Sequence, residues 1–332
     1  MNREQINNII VTVLSNSIVL GKYQLKKIKK YQKNVDIENV IRETEKIKDK
    51  IIKRKRIEEE NEKLQKKIFE FKEILKNNFS HENVKNFCSN YKWLKIIVVN
   101  SFKDYDCCGI YNYNRNILLV KNENIDDSML HELFHLASSN LSLKYKRIGF
   151  LLNYKDGSIG YGLNEGYTEL LSRRYSGGNS DYYIMEQIIA EHLETIVGQE
   201  KMKSFYLNSN LYGLINELKK YYTVDEIEKF LITLDIYTCY FRETKITSKK
   251  LQYKMEGLIN ELFIFLIKGY IKFLKEKNIK NKYECILNYI EDFFRITNDI
   301  EIVKKTNAMI FEFLNERICI TKEDLDYEKH HK

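Results

Sequence analysis

The chain has 332 residues, of which 43% are hydrophobic and 31% charged, so it can bury a substantial core and should be mostly globular. The net charge of +8 comes from 55 basic and 47 acidic residues, and this mixed surface makes nucleic acid an unfavoured partner. Proline is absent and the six cysteines include no Cys-x-x-Cys pair, which favours long helices and reduced thiols over a zinc ribbon or a disulfide scaffold.

The amino-terminal residues give no indication of a membrane anchor or a secretion signal. Residues 9–14 are apolar, but this run is too short to span a bilayer, and Ser15, Asn16 and Ser17 follow it directly. No later stretch reaches about 18 uncharged apolar residues. We therefore expect a cytoplasmic protein without a membrane span.

Residues 1–90 predict a helical, coiled-coil-like region. Lys, Glu and Ile dominate residues 22–77, and six positions near the end of this stretch, five of them apolar, follow one another in alternating steps of four and three. These positions are Ile57, Asn61, Leu64, Ile68, Phe71 and Leu75. The pattern fits a coiled coil that binds a protein partner, or a long helix packed on its own protein, and the second interpretation is slightly favoured.

Residues 91–200 predict a compact core with a small sheet. Residues 93–99 are apolar and β-branched and indicate a buried strand, and residues 109–111 and 116–120 indicate one or two more, with a turn at 112–116. Asp126, Asp127 and Ser128 supply N-cap and first-turn chemistry for a largely buried helix over about residues 127–139.

Residues 201–332 predict a helical carboxyl-terminal region, and the helical pattern already begins near residue 182. Breaks in the pattern are expected near Gly198 and at residues 208–210, 245–248 and 277–281.

The segment His131-Glu132-Leu133-Phe134-His135 carries the clearest chemistry in the chain. Residues four apart lie on one face of an α-helix, so the two imidazoles converge and can hold one Zn²⁺. Glu132 projects beside that position, where it can accept a proton from water as a general base. A catalytic zinc also needs a third protein ligand and a fourth position left open.

A second segment, about 30 residues further on, supplies candidates for the third ligand. Glycines lead into a helix that we expect to start near Asn164. Glu165 suits the ligand role, and Glu169, one turn later on the same face, suits a hydrogen bond to a ligand histidine, although spacing alone allows the two roles to be exchanged. Residues 141–161, between the two segments, predict a loop or hairpin with its turn at 155–157.

Together the two segments resemble the gluzincin metallopeptidases, over roughly residues 93–200. The resemblance implies that His131, His135 and Glu165 bind zinc, that Glu132 is the general base and that Glu169 braces His131. The predicted fold is accordingly α+β, mostly α. A zincin-like core with a small β-sheet and the HExxH helix is flanked by helical amino- and carboxyl-terminal regions.

Gluzincins also use a Tyr or His to stabilise the oxyanion of the reaction, and the resemblance implies such a residue here. Tyr161, just before the ligand helix, and His192, within the helical body, are the candidates. The expected substrate is a peptide or protein, held as an added strand along residues 116–120.

The predicted function is therefore zinc-dependent hydrolysis of peptide bonds. The alternative is a non-catalytic helical interaction protein with a structural or vestigial zinc site, in which Glu169 or Cys107 would be a fourth ligand. A third interpretation, nucleic-acid binding through the basic residues 53–56, predicts strongly salt-dependent binding that survives metal removal.

Overall fold

The computed structural model describes residues 62–99, 108–141, 147–154, 157–176, 183–243, 249–297, 299–316 and 319–325. The helices are α1 (Glu62–Asn78), α2 (His81–Lys92), α3 (Ile125–Ala137), α4 (Tyr161–Ser176), α5 (Ile184–Val197), α6 (Gln199–Leu207), α7 (Leu211–Leu218), α8 (Val224–Glu243), α9 (Lys249–Glu276), α10 (Lys282–Thr297), α11 (Ile300–Leu314) and α12 (Lys322–Leu325). The strands are β1 (Lys95–Val99), β2 (Gly109–Asn112), β3 (Ile117–Lys121), β4 (Ser139–Asn140), β5 (Arg147–Ile148), β6 (Leu152–Tyr154) and β7 (Gly157–Ile159). This mostly helical architecture with small sheets confirms the predicted α+β, mostly α class. In the described part of the chain, no helix combines the length and the apolar character needed to cross a bilayer.

The largest sheet has three strands in the order β1-β3-β2. β3 pairs in parallel with β1 and antiparallel with β2, so both of its edges are occupied. The expectation that residues 116–120 bind substrate as an exposed strand is therefore wrong. A run of apolar residues from Ile117 to Val120 buries β3 in the middle of the sheet, and β2 is an edge strand.

The described part of the amino-terminal seam packs on the protein itself. Leu64, Ile68, Phe71 and Leu75 are all buried, and α1 lies against α3. An edge-to-face contact of 4.8 Å between the rings of Phe71 and Phe134 joins the two helices. Ile57 and Asn61 lie outside the described residues, as does the basic run at 53–56.

The HExxH helix, α3, is buried on nearly all sides between the sheet, α1, α2 and α4. It begins at Ile125 after a short 3-10 turn (Asn122–Asn124), with Asn124 as the N-cap residue. The prediction of an N-cap at residues 126–128 was therefore wrong by about one turn, since the 3-10 turn already orders the chain ahead of them. The hairpin expected between the two motif segments is confirmed, because Tyr154 of β6 pairs with Gly157 of β7.

Helix α4, which carries Glu165 and Glu169, packs against α3, α5 and α8. Its contact with α5 requires glycine, because a Cβ atom on Gly166 would lie 2.2 Å from the Glu186 carbonyl oxygen. Farther out, α9 packs on α8, α10 and α11. The predicted helix breaks at Gly198, at 208–210 and at 277–281 are confirmed, and residues 245–248 lie outside the described part.

Candidate metal centre

Helices α3 and α4 bring three potential ligand atoms together. His131 and His135, four residues apart on α3, point their Nε2 atoms at each other across 3.1 Å. Glu165, on the second turn of α4, places its Oε2 atom 3.4 Å from His131 Nε2 and 3.6 Å from His135 Nε2. Within the described ranges, this trio is the group of His, Cys, Asp and Glu side chains that could share a metal ion.

The three separations fit a tetrahedral metal ion. Ligand bonds of about 2.0–2.1 Å, as zinc forms to histidine nitrogen, place two ligand atoms of a tetrahedron about 3.3–3.4 Å apart. The observed separations of 3.1, 3.4 and 3.6 Å bracket that length. All three residues are at most 9% exposed, so few water molecules compete with an ion for them. The donor set of two imidazoles and one carboxylate is therefore able to hold a divalent metal.

Glu169 lies behind this cluster and contacts the other side of His131. The His131 Nδ1–H group donates to Glu169 Oε2 at 2.8 Å, which leaves the Nε2 lone pair directed at the ligand cluster. The two acidic residues thus take different positions, with Glu165 in the ligand group and Glu169 hydrogen-bonded to a ligand histidine. Cys107, the other residue considered as a fourth ligand, lies outside the described part of the chain.

Protons and a metal ion compete for the cluster. Burial lowers the pKa of His131, but the carboxylates of Glu165 and Glu169 outweigh burial and raise it to about 10. Burial would raise the pKa of Glu165, but His135 and His131 hold it well below its ordinary value. In the metal-free protein the cluster therefore retains a proton at neutral pH, and metal binding must release it.

A hydroxyl pair supports the second histidine. Thr168 donates its hydroxyl hydrogen to the Asn164 carbonyl at 2.6 Å, so its oxygen is left as an acceptor. That oxygen lies 3.4 Å from His135 Nδ1 and 2.5 Å from the hydroxyl of Tyr206, whose pKa is raised by burial. Asn164 Nδ2 lies at the same 3.4 Å from His135 Nδ1, so Asn164 donates to this nitrogen in one tautomer and Thr168 accepts from it in the other. The tautomer with Nδ1–H donating to Thr168 is the one that keeps the His135 Nε2 lone pair available to a metal.

Glu132, on α3 between the two histidines, faces the edge strand β2. Burial raises the pKa of its carboxyl group, the two neighbouring histidines oppose that effect, and the Tyr111 backbone N–H donates to it. Gly109 passes so close that a Cβ atom there would lie 2.9 Å from Glu132 Cγ and 3.0 Å from Oε1. The strand backbone thus fixes the position of this carboxylate beside the ligand cluster.

The two residues predicted to stabilise an oxyanion are not brought to the cluster by their described contacts. Tyr161 begins α4 as part of the hydrophobic core, and its backbone N–H is directed at Asp235. Both ring nitrogens of His192 lie within hydrogen-bonding distance of backbone carbonyls, at 2.8 Å from Ile188 and 3.1 Å from Tyr289. The His192 ring therefore contacts α10, and it packs against the Phe293 ring at an interplanar angle of 39°.

Tyr183 is a site neighbour that the sequence did not indicate. Its ring lies parallel to that of His131, with the two centroids 5.6 Å apart. Its φ angle of +55° is unusual for a bulky side chain, and it immediately precedes α5. In a chain with 24 tyrosines no local pattern distinguishes this one.

Comparisons of the chain with protein-family models, with curated proteins and with solved structures found no match.

Proposed function

We propose that this chain is a zinc-dependent peptidase of the gluzincin type, with Zn²⁺ held by His131, His135 and Glu165. The observation that carries the proposal is the convergence of three buried ligand atoms at 3.1–3.6 Å, with a further carboxylate, that of Glu132, next to the two histidines on α3. The histidine brace from Glu169 supports it, because catalytic zinc ligands are held by such hydrogen bonds.

When bound, zinc lowers the pKa of water and polarises the carbonyl of the scissile bond. Glu132 accepts a proton from the attacking water as the bond from oxygen to carbon forms. It then delivers that proton to the amide nitrogen as the carbon–nitrogen bond breaks, which releases an amine and a carboxylate. Burial raises the pKa of Glu132, which makes its carboxylate a stronger base toward water.

The outer edge of β2 is where we propose that an extended peptide pairs. β2 is an edge strand of the sheet, and Gly109 and Tyr111 adjoin Glu132. A peptide added along this strand would place its backbone next to the proposed base and the ligand cluster. This proposed pairing site on β2 replaces the expected site on β3, which is buried in the middle of the sheet.

Tyr183 is better placed than Tyr161 or His192 to contact a bound substrate, because its ring stacks on a proposed zinc ligand. Replacing Tyr183 with Phe retains the stacked ring and removes the hydroxyl. If that hydroxyl stabilises the oxyanion, kcat should fall by about 10²-fold with the zinc content unchanged. An unchanged kcat would exclude this role for Tyr183.

The decisive experiment separates metal binding from hydrolysis. Zinc content and cleavage of a peptide library are measured for the wild type and for the Glu132→Gln and Glu165→Ala variants. We expect about one zinc per wild-type chain, no hydrolysis but retained zinc in Glu132→Gln, and loss of zinc in Glu165→Ala. Glu191→Gln, on the exposed face of α5, is the matched control and should behave as wild type.

Two results would contradict the proposal. Full hydrolytic activity of Glu132→Gln would exclude Glu132 as the base. A wild-type protein that takes up no zinc even after reconstitution would exclude the metal centre and favour the non-catalytic interaction protein.

A further inference from the structure

The start of α4 lacks a cap in its own sequence. The first N–H groups of any helix have no partner within the helix, and a Ser, Thr, Asp or Asn just ahead of it usually accepts one of their hydrogen bonds. The residue before α4 is Gly160, which has no side chain and adopts a φ angle of +88°. Glu165 follows in the next turn, so the uncapped end of the helix is close in sequence to the proposed zinc ligand.

Asp235, on α8, supplies the missing acceptor. Its Oδ2 atom accepts from the Gly160 N–H at 2.9 Å and its Oδ1 atom from the Gly162 N–H at 2.8 Å. The side chain is only 1% exposed, and burial raises its pKa to about 7. Burying a carboxylate is costly, and a local Ser or Asn could have capped the helix without that cost. What Asp235 adds is a fixed link between two helices that are distant in sequence.

The two helices also meet without free space at this point. A Cβ atom on Gly162 would lie 2.6 Å from Thr238 Oγ1 and 2.8 Å from Leu234 Cγ. The first turn of α4 therefore packs tightly against α8, and the Asp235 carboxylate accepts hydrogen bonds from the N–H groups of Gly160 and Gly162. A helix rises about 1.5 Å per residue, so Glu165 lies only about 4.5 Å beyond Gly162 along the helix axis. A shift of the first turn would therefore move Glu165 as well.

We infer that Asp235 is a positioning residue of the metal centre, which fixes the first turn of α4 so that Glu165 and Glu169 meet the two histidines of α3. The inference rests on the metal site of the proposed function and not on its peptidase activity. It makes α8, in the carboxyl-terminal helical region, a part of the machinery that holds the metal.

The test measures zinc affinity in the full-length protein. Dissociation constants for zinc are compared for wild type, Asp235→Asn, which keeps one acceptor, and Asp235→Leu, which keeps none. We expect affinity to fall in that order, by about tenfold or more for Asp235→Leu. Visible spectra of the cobalt(II)-loaded proteins should change in the same order, because they report the geometry of the ligands.

Asp225→Asn is the matched control, since it makes the same chemical change at an exposed position in the first turn of the same helix, ten residues before Asp235. Its zinc affinity and cobalt spectrum should equal those of the wild type. All titrations are run at a temperature at which each variant is folded by circular dichroism. If neither Asp235 variant folds, amide hydrogen exchange of the wild-type protein is measured with and without zinc instead. The inference then requires that zinc slows the exchange of the Gly160 and Gly162 amides.

Three outcomes would overturn the inference. One is a lower melting temperature for the Asp235 variants with zinc affinity equal to wild type, which would leave Asp235 a purely structural role. Another is that zinc leaves the exchange rates of the Gly160 and Gly162 amides unchanged. The third is a wild type that binds no zinc, in which case the metal centre itself fails. Absence of peptidase activity with normal zinc binding would contradict the proposed function and leave the role of Asp235 standing.

Discussion

The close passage of Gly109 over Glu132 allows a test in which the ligands and the base are all left unchanged. Replacing Gly109 with Ala adds a Cβ atom 2.9 Å from Glu132 Cγ, 3.0 Å from Oε1 and 3.2 Å from Cδ. Favourable contacts between carbon atoms lie at about 3.5–4.0 Å. The Glu132 side chain must therefore retreat by about 0.6 Å or more, or the strand must lift by a similar distance.

Misplacing a catalytic group by about 1 Å can cost about 10²-fold in rate, so a shift near 0.6 Å predicts a loss of roughly tenfold in kcat/KM. The zinc content should stay at the wild-type level, because the three atoms nearest to the added methyl group all belong to the base, Glu132. Hydrolysis of a fluorogenic peptide chosen from the library screen, together with metal analysis of the same samples, measures both quantities.

The matched control is Gly257→Ala on α9, where an added Cβ atom meets no atom within 4 Å. This change should leave hydrolysis unaltered and raise the free energy of unfolding by about 0.5–1 kcal/mol, as expected for Gly to Ala in a helix. Wild-type activity in Gly109→Ala would refute the assignment of Glu132 as a base held by β2. A loss of zinc from Gly109→Ala in proportion to its loss of activity would also refute this assignment.

Three further predictions concern the groups around the metal ligands. Glu169→Ala should weaken zinc binding by about 10–100-fold without changing the number of sites, and an unchanged dissociation constant would contradict the brace on His131. Thr168→Val should weaken zinc binding by about tenfold while Thr168→Ser stays near wild type, since only the hydroxyl can accept from His135, and equal losses in both variants would argue against it. Because burial raises the pKa of Asp235 from 3.8 to about 7, the folded protein binds this proton more tightly than the unfolded chain does. The stability of wild type relative to Asp235→Asn should therefore fall by about 1.4 kcal/mol per pH unit from pH 4 to 7 and level off above, and a flat difference in denaturation experiments would exclude that pKa.

Features encoded over short stretches of sequence were predictable. The four-residue spacing of His131 and His135 places both imidazoles on one face of the helix wherever that helix is located. In the structure their Nε2 atoms are 3.1 Å apart. The β-branched run before residue 100 and the glycine at the 155–157 turn likewise act locally, and β1 and the β6–β7 hairpin form where expected.

Features that depend on distant partners were not predictable in the same way. The apolar run from Ile117 to Val120 indicates a strand covered on both faces, but it does not show that β1 and β2 pair along its two edges, which is what excludes an added peptide strand. Tyr183 and Tyr206 approach the site from other elements, and the cap of α4 comes from Asp235, which lies 75 residues from Gly160. A single sequence shows the type of such residues, but the packing of helices decides which of them meet.

The distance in sequence between Asp235 and the helix it caps affects when a newly synthesised chain can assemble the proposed metal centre. The three proposed ligands are all translated by residue 165, and Asp235 is the 70th residue after Glu165. At about 5–20 residues per second, translation needs several seconds to cover that gap. During this interval the growing polypeptide carries every ligand but cannot anchor the helix that presents Glu165. On the proposed role of Asp235, the order of synthesis postpones assembly of the metal centre until α8 has been translated.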